Sequence, residues 1–129
     1  MRDFILDFCD QDGKRYVWKK ERYDMKAKKH SELRDPSYLG RVKSVICHPD
    51  QIIPGYNEKK KRIIPNRYCY FIKEAVKDHS NPRYTVVVID KTIDKTKSSG
   101  IEYIYVVCSS YRPDHIKELQ YKIKPCKRP

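Results

Sequence analysis

Residues 85–90 read TVVVID and residues 103–107 read YIYVV, and these two stretches decide the fold. Both are apolar at successive positions, which is typical of strands that are covered on both faces of a sheet. A third run, RYCYFIKEAV at 67–76, is also rich in aromatic and branched residues. Turn residues separate the three runs, in KDHSNP at 77–82 and KTIDKTKSSG at 91–100. The second half of the chain therefore predicts three consecutive antiparallel strands.

A helix is predicted ahead of these strands. Asp35 and Pro36 form a natural N-cap and first-turn pair, and Pro49 marks a stop. Between them, apolar residues repeat at helical spacing: Leu39, Val42, Val45 and Ile46. The pattern predicts a helix over 36–47 that turns Leu39, Val42 and Ile46 toward the sheet. Several helix formers in 25–34 predict a shorter helix just before it.

The N-terminal segment has the pattern of a hairpin. RDFILDFC at 2–9 and RYVWKKERY at 15–23 flank an Asp-Gly turn. QIIPGYNEKKKRIIPN at 51–66 indicates a basic loop or an edge hairpin, and the tail from Pro113 predicts a short helix to about Tyr121. A chain of 129 residues is long enough for one domain, 1–129. We expect an α+β fold: a twisted antiparallel β-sheet with one or two helices of the N-terminal half packed on one face.

The composition indicates a folded protein with an acidic partner. The formal net charge is +12, while 39% of the residues are hydrophobic, which argues against a disordered chain. Nucleic acid is the first candidate partner, and a membrane surface, an acidic protein or a merely solvated basic surface are the alternatives. The apolar runs are too short to span a membrane. We expect a cytoplasmic protein with no membrane partner.

The cysteines favour a reducing compartment and give no sign of a metal site. They are five in number and well separated, so a disulfide framework is not expected. The one close pair of metal-binding side chains is Cys47 and His48, and adjacent side chains point apart on most backbones. The chain also has no glycine-rich phosphate loop or dinucleotide fingerprint. We expect neither a metal nor a cofactor.

Five segments stand in a characteristic order between about residues 27 and 115: KHSEL, SYLGRVKSVICHPDQI, NRYCYFIK, TVVVID and YVVCSSYRPD. This order resembles the small ribonuclease superfamily that groups barnase, EndoU and RelE-like proteins, and is most similar to its phage and BrnT-like toxin branch. The resemblance implies a metal-independent endoribonuclease of the toxin type, restrained by an acidic antitoxin protein. It also implies a site made by the helical histidine, the arginine- and tyrosine-bearing strand and the hydroxyl residues that end the last core strand.

The residue types required for metal-free RNA cleavage are present. The reaction needs a group that moves a proton and cations that hold the charge developing on the phosphate. His30 can move the proton because an imidazole titrates near neutrality, and Glu32 can orient it. Arg67 can hold the charge and Lys73 can orient the RNA backbone. Hydroxyl groups come from Ser109, Ser110 and Tyr111.

Each of these residues also has an ordinary structural interpretation. His30 can be an exposed helical histidine among lysines, and Arg67 and Lys73 can be charges that keep an edge strand soluble. Residues 109–111 can be turn-forming residues at the end of a strand.

A second set of residues suits RNA binding. The segment 59–73 contains six basic residues and no acidic one, which suits the tracking of a phosphate backbone. The RNA-binding candidates are Lys28, Lys29, Lys60, Lys61, Arg62 and Tyr70, the last through stacking on a base. Two functional hypotheses follow: a metal-independent endoribonuclease, and a non-catalytic RNA- or DNA-binding domain of the same fold. A third alternative is a small phage or mobile-element protein whose basic surface serves protein contacts.

Overall fold

The computed structural model describes residues 3–74, 83–94 and 102–129. Within these ranges the strands are β1 (Phe4–Cys9), β2 (Arg15–Lys19), β3 (Gln51–Asn57), β4 (Arg62–Glu74), β5 (Arg83–Ile93) and β6 (Tyr103–Tyr111). The helices are α1 (Lys20–Lys29), α2 (Pro36–Cys47) and α3 (Lys117–Gln120), with a 3-10 helix over Ser31–Arg34. The predicted α+β class is confirmed. The turn predicted at 77–82 and most of that at 91–100 lie outside the described residues.

The six strands form one mixed sheet in the order β1-β2-β6-β5-β4-β3. β5 and β6 occupy inner positions, as their continuous apolar runs predicted, and 51–66 contributes an edge hairpin of β3 and β4. The expectation of a wholly antiparallel sheet is wrong at one place, because β2 pairs with β6 in parallel. A parallel pair needs a long connection, which the helices and the other strands between β2 and β6 supply.

The N-terminal hairpin is confirmed, but its second strand is shorter than predicted. The Asp10 side chain closes the turn by accepting hydrogen bonds from the backbone N–H groups of Asp12 and Lys14. Residues 20–23 are not strand, because α1 begins at Lys20. The helix predicted over 25–34 ends at Lys29, so His30 has extended backbone between α1 and the 3-10 helix and is not helical. The segment KERYDMKAKK is rich in helix formers. Its Tyr23 ring also packs edge-on to Trp18, 5.2 Å away.

Helix α2 spans the predicted residues, 36–47. The Asp35 side chain caps it by accepting from the backbone N–H of Ser37 at 3.0 Å, and Pro36 occupies the first turn. Val42 and Ile46 are fully buried and Leu39 packs against the core from a half-buried position. The helix therefore presents the predicted side to the sheet.

The sheet is strongly curved. The hydroxyls of Tyr16 on β2 and Tyr70 on β4 lie 2.9 Å apart although β6 and β5 run between their strands. Both tyrosines belong to the cluster that α2 covers, so α2 fills the concave face. On the opposite face, Phe71 and Val86 pack with Ile116 from the C-terminal segment. Helix α2 therefore packs on the concave face, and the C-terminal segment covers part of the opposite face.

The burial of Val42 gives a test of the fold. The side chain contributes about 1.5 to 3 kcal/mol through burial, and an unpaired carboxylate in its place would cost more. We expect Val42→Asp to abolish cooperative thermal unfolding measured by circular dichroism. The control is Ser44→Asp, which places the same residue at an exposed position of the same helix. A folded Val42→Asp protein with the stability of the control would contradict the position of α2.

Candidate nucleic-acid interface

An open cavity of about 550 Å³ lies between α1 and the sheet. α1 borders it because the helix starts directly at the end of β2 and passes close to β6. Helical spacing places Arg22, Met25 and Lys26 on one side of α1. The lining residues are Arg22, Met25, Lys26, Arg67, Val88, Cys108 and Ser109. Two of the predicted catalytic residues, Arg67 and Ser109, therefore share one cavity.

Arg67 is held by a bidentate ion pair with Asp90 on the neighbouring strand. Its Nε lies 2.7 Å from Asp90 Oδ1 and its Nη2 lies 2.9 Å from Oδ2. The hydrogen bonds lower the pKa of Asp90 and raise that of Arg67, so both groups are charged at neutral pH. Gly55 makes room for the arginine, since a Cβ there would meet Arg67 Cγ at 2.8 Å. Arg67 Nη1 takes no part in the two hydrogen bonds with Asp90.

A β-bulge brings two successive residues of β6 to the cavity. Val88 pairs with Ser109 and Ile89 pairs with Val107, so Cys108 is the extra residue of the bulge. Burial, with a hydrogen bond to the Asp90 carboxylate, raises the pKa of the Cys108 thiol to about 11. The thiol is therefore neutral at physiological pH and the Ser109 side chain adds a hydroxyl beside it.

The cavity combines positive charge with an apolar surface. Arg22, Lys26 and Arg67 contribute three cations, against which Asp90 contributes one carboxylate that Arg67 already engages. Met25 and Val88 supply apolar side chains between the charged groups. Cations suit a phosphate and an apolar wall suits the face of a base, so the arrangement fits a nucleotide unit better than a simple anion.

His30 and Tyr111 form a second group near the end of α1. Their ring centroids lie 6.1 Å apart with planes inclined by 25°, and His30 Nδ1 lies 3.9 Å from a carboxylate oxygen of Glu32. His30 follows Lys26 by four residues, about 6 Å along the helix axis. Burial raises the pKa of the Tyr111 hydroxyl, so this hydroxyl stays protonated.

Two predicted site residues face the core. Ser110 is fully buried, and its Oγ lies 3.0 Å from the Tyr38 hydroxyl and donates to the Val86 carbonyl at 2.7 Å. Tyr70 is fully buried as well. The expectations that Ser110 contacts substrate and that Tyr70 stacks on a base are therefore wrong. Both side chains lie on the concave face of the sheet, which α2 covers.

The remaining candidates lie on the surface at a distance from the cavity. Lys73 is exposed at the far end of β4, six residues and about 20 Å along the strand from Arg67. Lys60, Lys61 and Arg62 are exposed at the β3–β4 turn, and Arg62 is about 16 Å along β4 from Arg67. Lys28 and Lys29 are exposed in the last turn of α1. Among these candidates, only Lys28 and Lys29 lie next to the group of His30 and Tyr111.

The sequence-based prediction missed Arg22, Lys26 and Asp90. Arg22 and Lys26 are spaced i and i+4, which would have placed them on one side of a helix if α1 had been predicted to start at residue 20. Asp90 ends the TVVVID run, and its pairing with Arg67 depends on the register between β4 and β5.

No known protein family matches the chain, and neither a curated protein nor a solved structure shows significant similarity to it. Within residues 3–74, 83–94 and 102–129, no group of three or more metal-binding side chains lies close enough together to hold an ion. No helix in those ranges is both long and apolar enough to cross a membrane.

Proposed function

We propose that the protein binds single-stranded RNA, with one nucleotide unit seated in the cavity between α1 and the sheet. The observation that carries this proposal is the convergence of Arg22, Lys26 and Arg67 around the apolar side chains of Met25 and Val88. Arg22 and Lys26 engage phosphates, and the apolar wall receives a base. A base is accessible in this way only in a single strand, where it is not stacked within a duplex.

The bound strand continues over exposed positive charge on both sides of the cavity. Lys28 and Lys29 extend the surface beyond Lys26, and the His30 and Tyr111 rings next to them offer a stacking surface. On the other side, the basic β3–β4 turn lies further along the strand that carries Arg67. The unpaired state of all five cysteines fits a reducing compartment, so we place this function in the cytoplasm.

Charge-neutral variants test this binding mode. Arg22→Gln/Lys26→Gln should lower the affinity for a short single-stranded RNA by about tenfold, or about 1.4 kcal/mol. It should also flatten the slope of log K against log salt by about 1.4, because each phosphate contact on a single strand contributes about 0.7. Fluorescence anisotropy over a range of salt concentrations measures both quantities.

The control is Lys43→Gln/Lys127→Gln, which also removes two positive charges. One is in α2 and the other is in the C-terminal segment. Both lysines are exposed. We expect the control to keep most of the affinity and of the salt dependence. Equal losses in the two double variants would show that net charge, and not the cavity, governs binding.

A second candidate function is metal-independent cleavage of RNA. The observation that favours it is the group of His30, Glu32 and Tyr111, one helical turn beyond Lys26. His30 would take the proton from a ribose 2′-hydroxyl as its oxygen attacks the phosphorus. Arg67 would hold the charge on the phosphate, and the 5′-oxygen would leave as a hydroxyl by taking a proton from water, so that the other product carries a 2′,3′-cyclic phosphate end. An acidic antitoxin would then inhibit the protein by covering the same cations.

Removal of the imidazole tests the second candidate. If His30 transfers the proton, His30→Ala should cleave RNA about 10² to 10⁴ times more slowly than the unmodified protein in the presence of EDTA. The control is His48→Ala, at the exposed C-terminal end of α2. A time course of product formation gives the cleavage rate, and mass analysis of the products shows whether they carry a cyclic phosphate end. RNA binding without cleavage by the unmodified protein would reject the nuclease and leave the binding proposal intact.

A further inference from the structure

Arg128 in the C-terminal arm, residues 124–129, occupies a pocket lined by polar groups on the concave side of the sheet. The arm passes the outer edge of β3, where the backbone N–H of Cys126 donates to the Ile52 carbonyl at 2.7 Å. Arg128 then enters the space between the β1–β2 turn and the C-terminal end of α2. This pocket is separate from the cavity that we assign to RNA.

The guanidinium group of Arg128 is surrounded by acceptors. Its Nη1 donates to the Ile46 carbonyl at 2.8 Å, to the Tyr16 hydroxyl at 3.2 Å and to Asp10 Oδ2 at 3.3 Å. Its Nη2 donates to the Cys47 carbonyl at 3.2 Å. The two carbonyls belong to the last turn of α2, where the helix dipole favours a cation.

The pocket itself is rigid and buried. The Asp10 side chain has no exposed surface and is fixed by the backbone N–H groups of Asp12 and Lys14. Tyr16 is fully buried, and the Arg128 guanidinium carbon lies 5.7 Å from the centre of the equally buried Tyr70 ring. A carboxylate, a hydroxyl, two carbonyls and an aromatic face together match a planar guanidinium, which presents several donors in a fixed fork.

A second anchor lies next to the pocket. The carbonyl oxygen of Pro129 accepts hydrogen bonds from Lys14 Nζ at 2.6 Å and from the Tyr105 hydroxyl at 2.7 Å. Elsewhere in the arm, Cys126 packs against the core and makes the backbone hydrogen bond to Ile52, while Lys124, Pro125 and Lys127 are exposed. The arm is therefore held at Cys126 and at residues 128 and 129.

We propose that this pocket is a recognition site for an arginine side chain, which Arg128 occupies in cis and which another guanidinium group can occupy when Arg128 is absent from it. The ligand class is an arginine-bearing peptide. The pocket selects the planar guanidinium over an ammonium group because it offers acceptors to several N–H groups at once.

Chemical complementation tests the site in the full chain. Arg128→Ala should have a lower melting temperature than the unmodified protein, since it leaves Asp10 buried and unpaired. Methylguanidinium at low concentration should raise this melting temperature in a saturable way, because a ligand that binds only the folded state stabilises it. Methylammonium should raise it much less, and the unmodified protein should respond to neither.

Two further variants make the test decisive. Asp10→Asn/Arg128→Ala lacks the carboxylate and should not respond to methylguanidinium, and Arg34→Ala removes an exposed arginine that has no such pocket. If Arg128→Ala is unfolded by itself, recovery of folding in methylguanidinium but not in methylammonium supports the site. No response of Arg128→Ala, folded or unfolded, or an equal response of either control variant, would overturn the proposal.

Discussion

The parallel pairing of β2 with β6 is the contact on which the rest of the structure depends. It comprises two residue pairs, Tyr16 with Tyr105 and Val17 with Val106, and it joins the N-terminal hairpin to the four other strands. Such a short ladder owes its stability to buried side chains rather than to its few hydrogen bonds. Tyr16 packs on the Tyr105 ring at 4.9 Å and reaches Tyr70 across the curved sheet. Because α1 follows β2 directly, the β2–β6 pairing also places α1 beside the sheet.

Two polar sites lie on opposite sides of the sheet near the β2–β6 pairing. On one side, α1 leaves β2 and forms the cavity that contains Arg67 and Ser109. On the other, Tyr16 and Tyr70 form the floor of the pocket that holds Arg128. The Arg67–Asp90 pair is about one third exposed, so it adds at most about 1 kcal/mol to stability. Its main effect is to fix the direction of the arginine.

Local patterns predicted much of the fold. Both ends of helix α2 were predicted correctly, because the capping residues and the apolar spacing agree over 36–47. The central strands were predicted because apolar residues occupy both of their faces. The start of α1 was missed because RYVWKKERY combines a true strand, 15–19, with the first turn of a helix that has no side-chain cap.

The candidate site was predicted only in part, because it depends on long-range register. Arg67 and Ser109 do share a cavity, and His30 does lie beside Tyr111. Strand alternation alone does not reveal the bulge at Cys108, which puts two successive residues at the cavity. The contacts of Arg128 have no local sequence signal, because its partners lie more than 80 residues away in sequence. Local sequence patterns do not reveal contacts of that kind.

The most direct test of the proposed RNA-binding cavity is a titration of the isotope-labelled protein with a short single-stranded oligoribonucleotide, followed through backbone amide resonances. Binding at the cavity should shift the resonances of Arg22, Lys26, Arg67 and Ser109 and leave those of α2 nearly unchanged. Shifts concentrated on α2 and β1, with none around the cavity, would contradict the account.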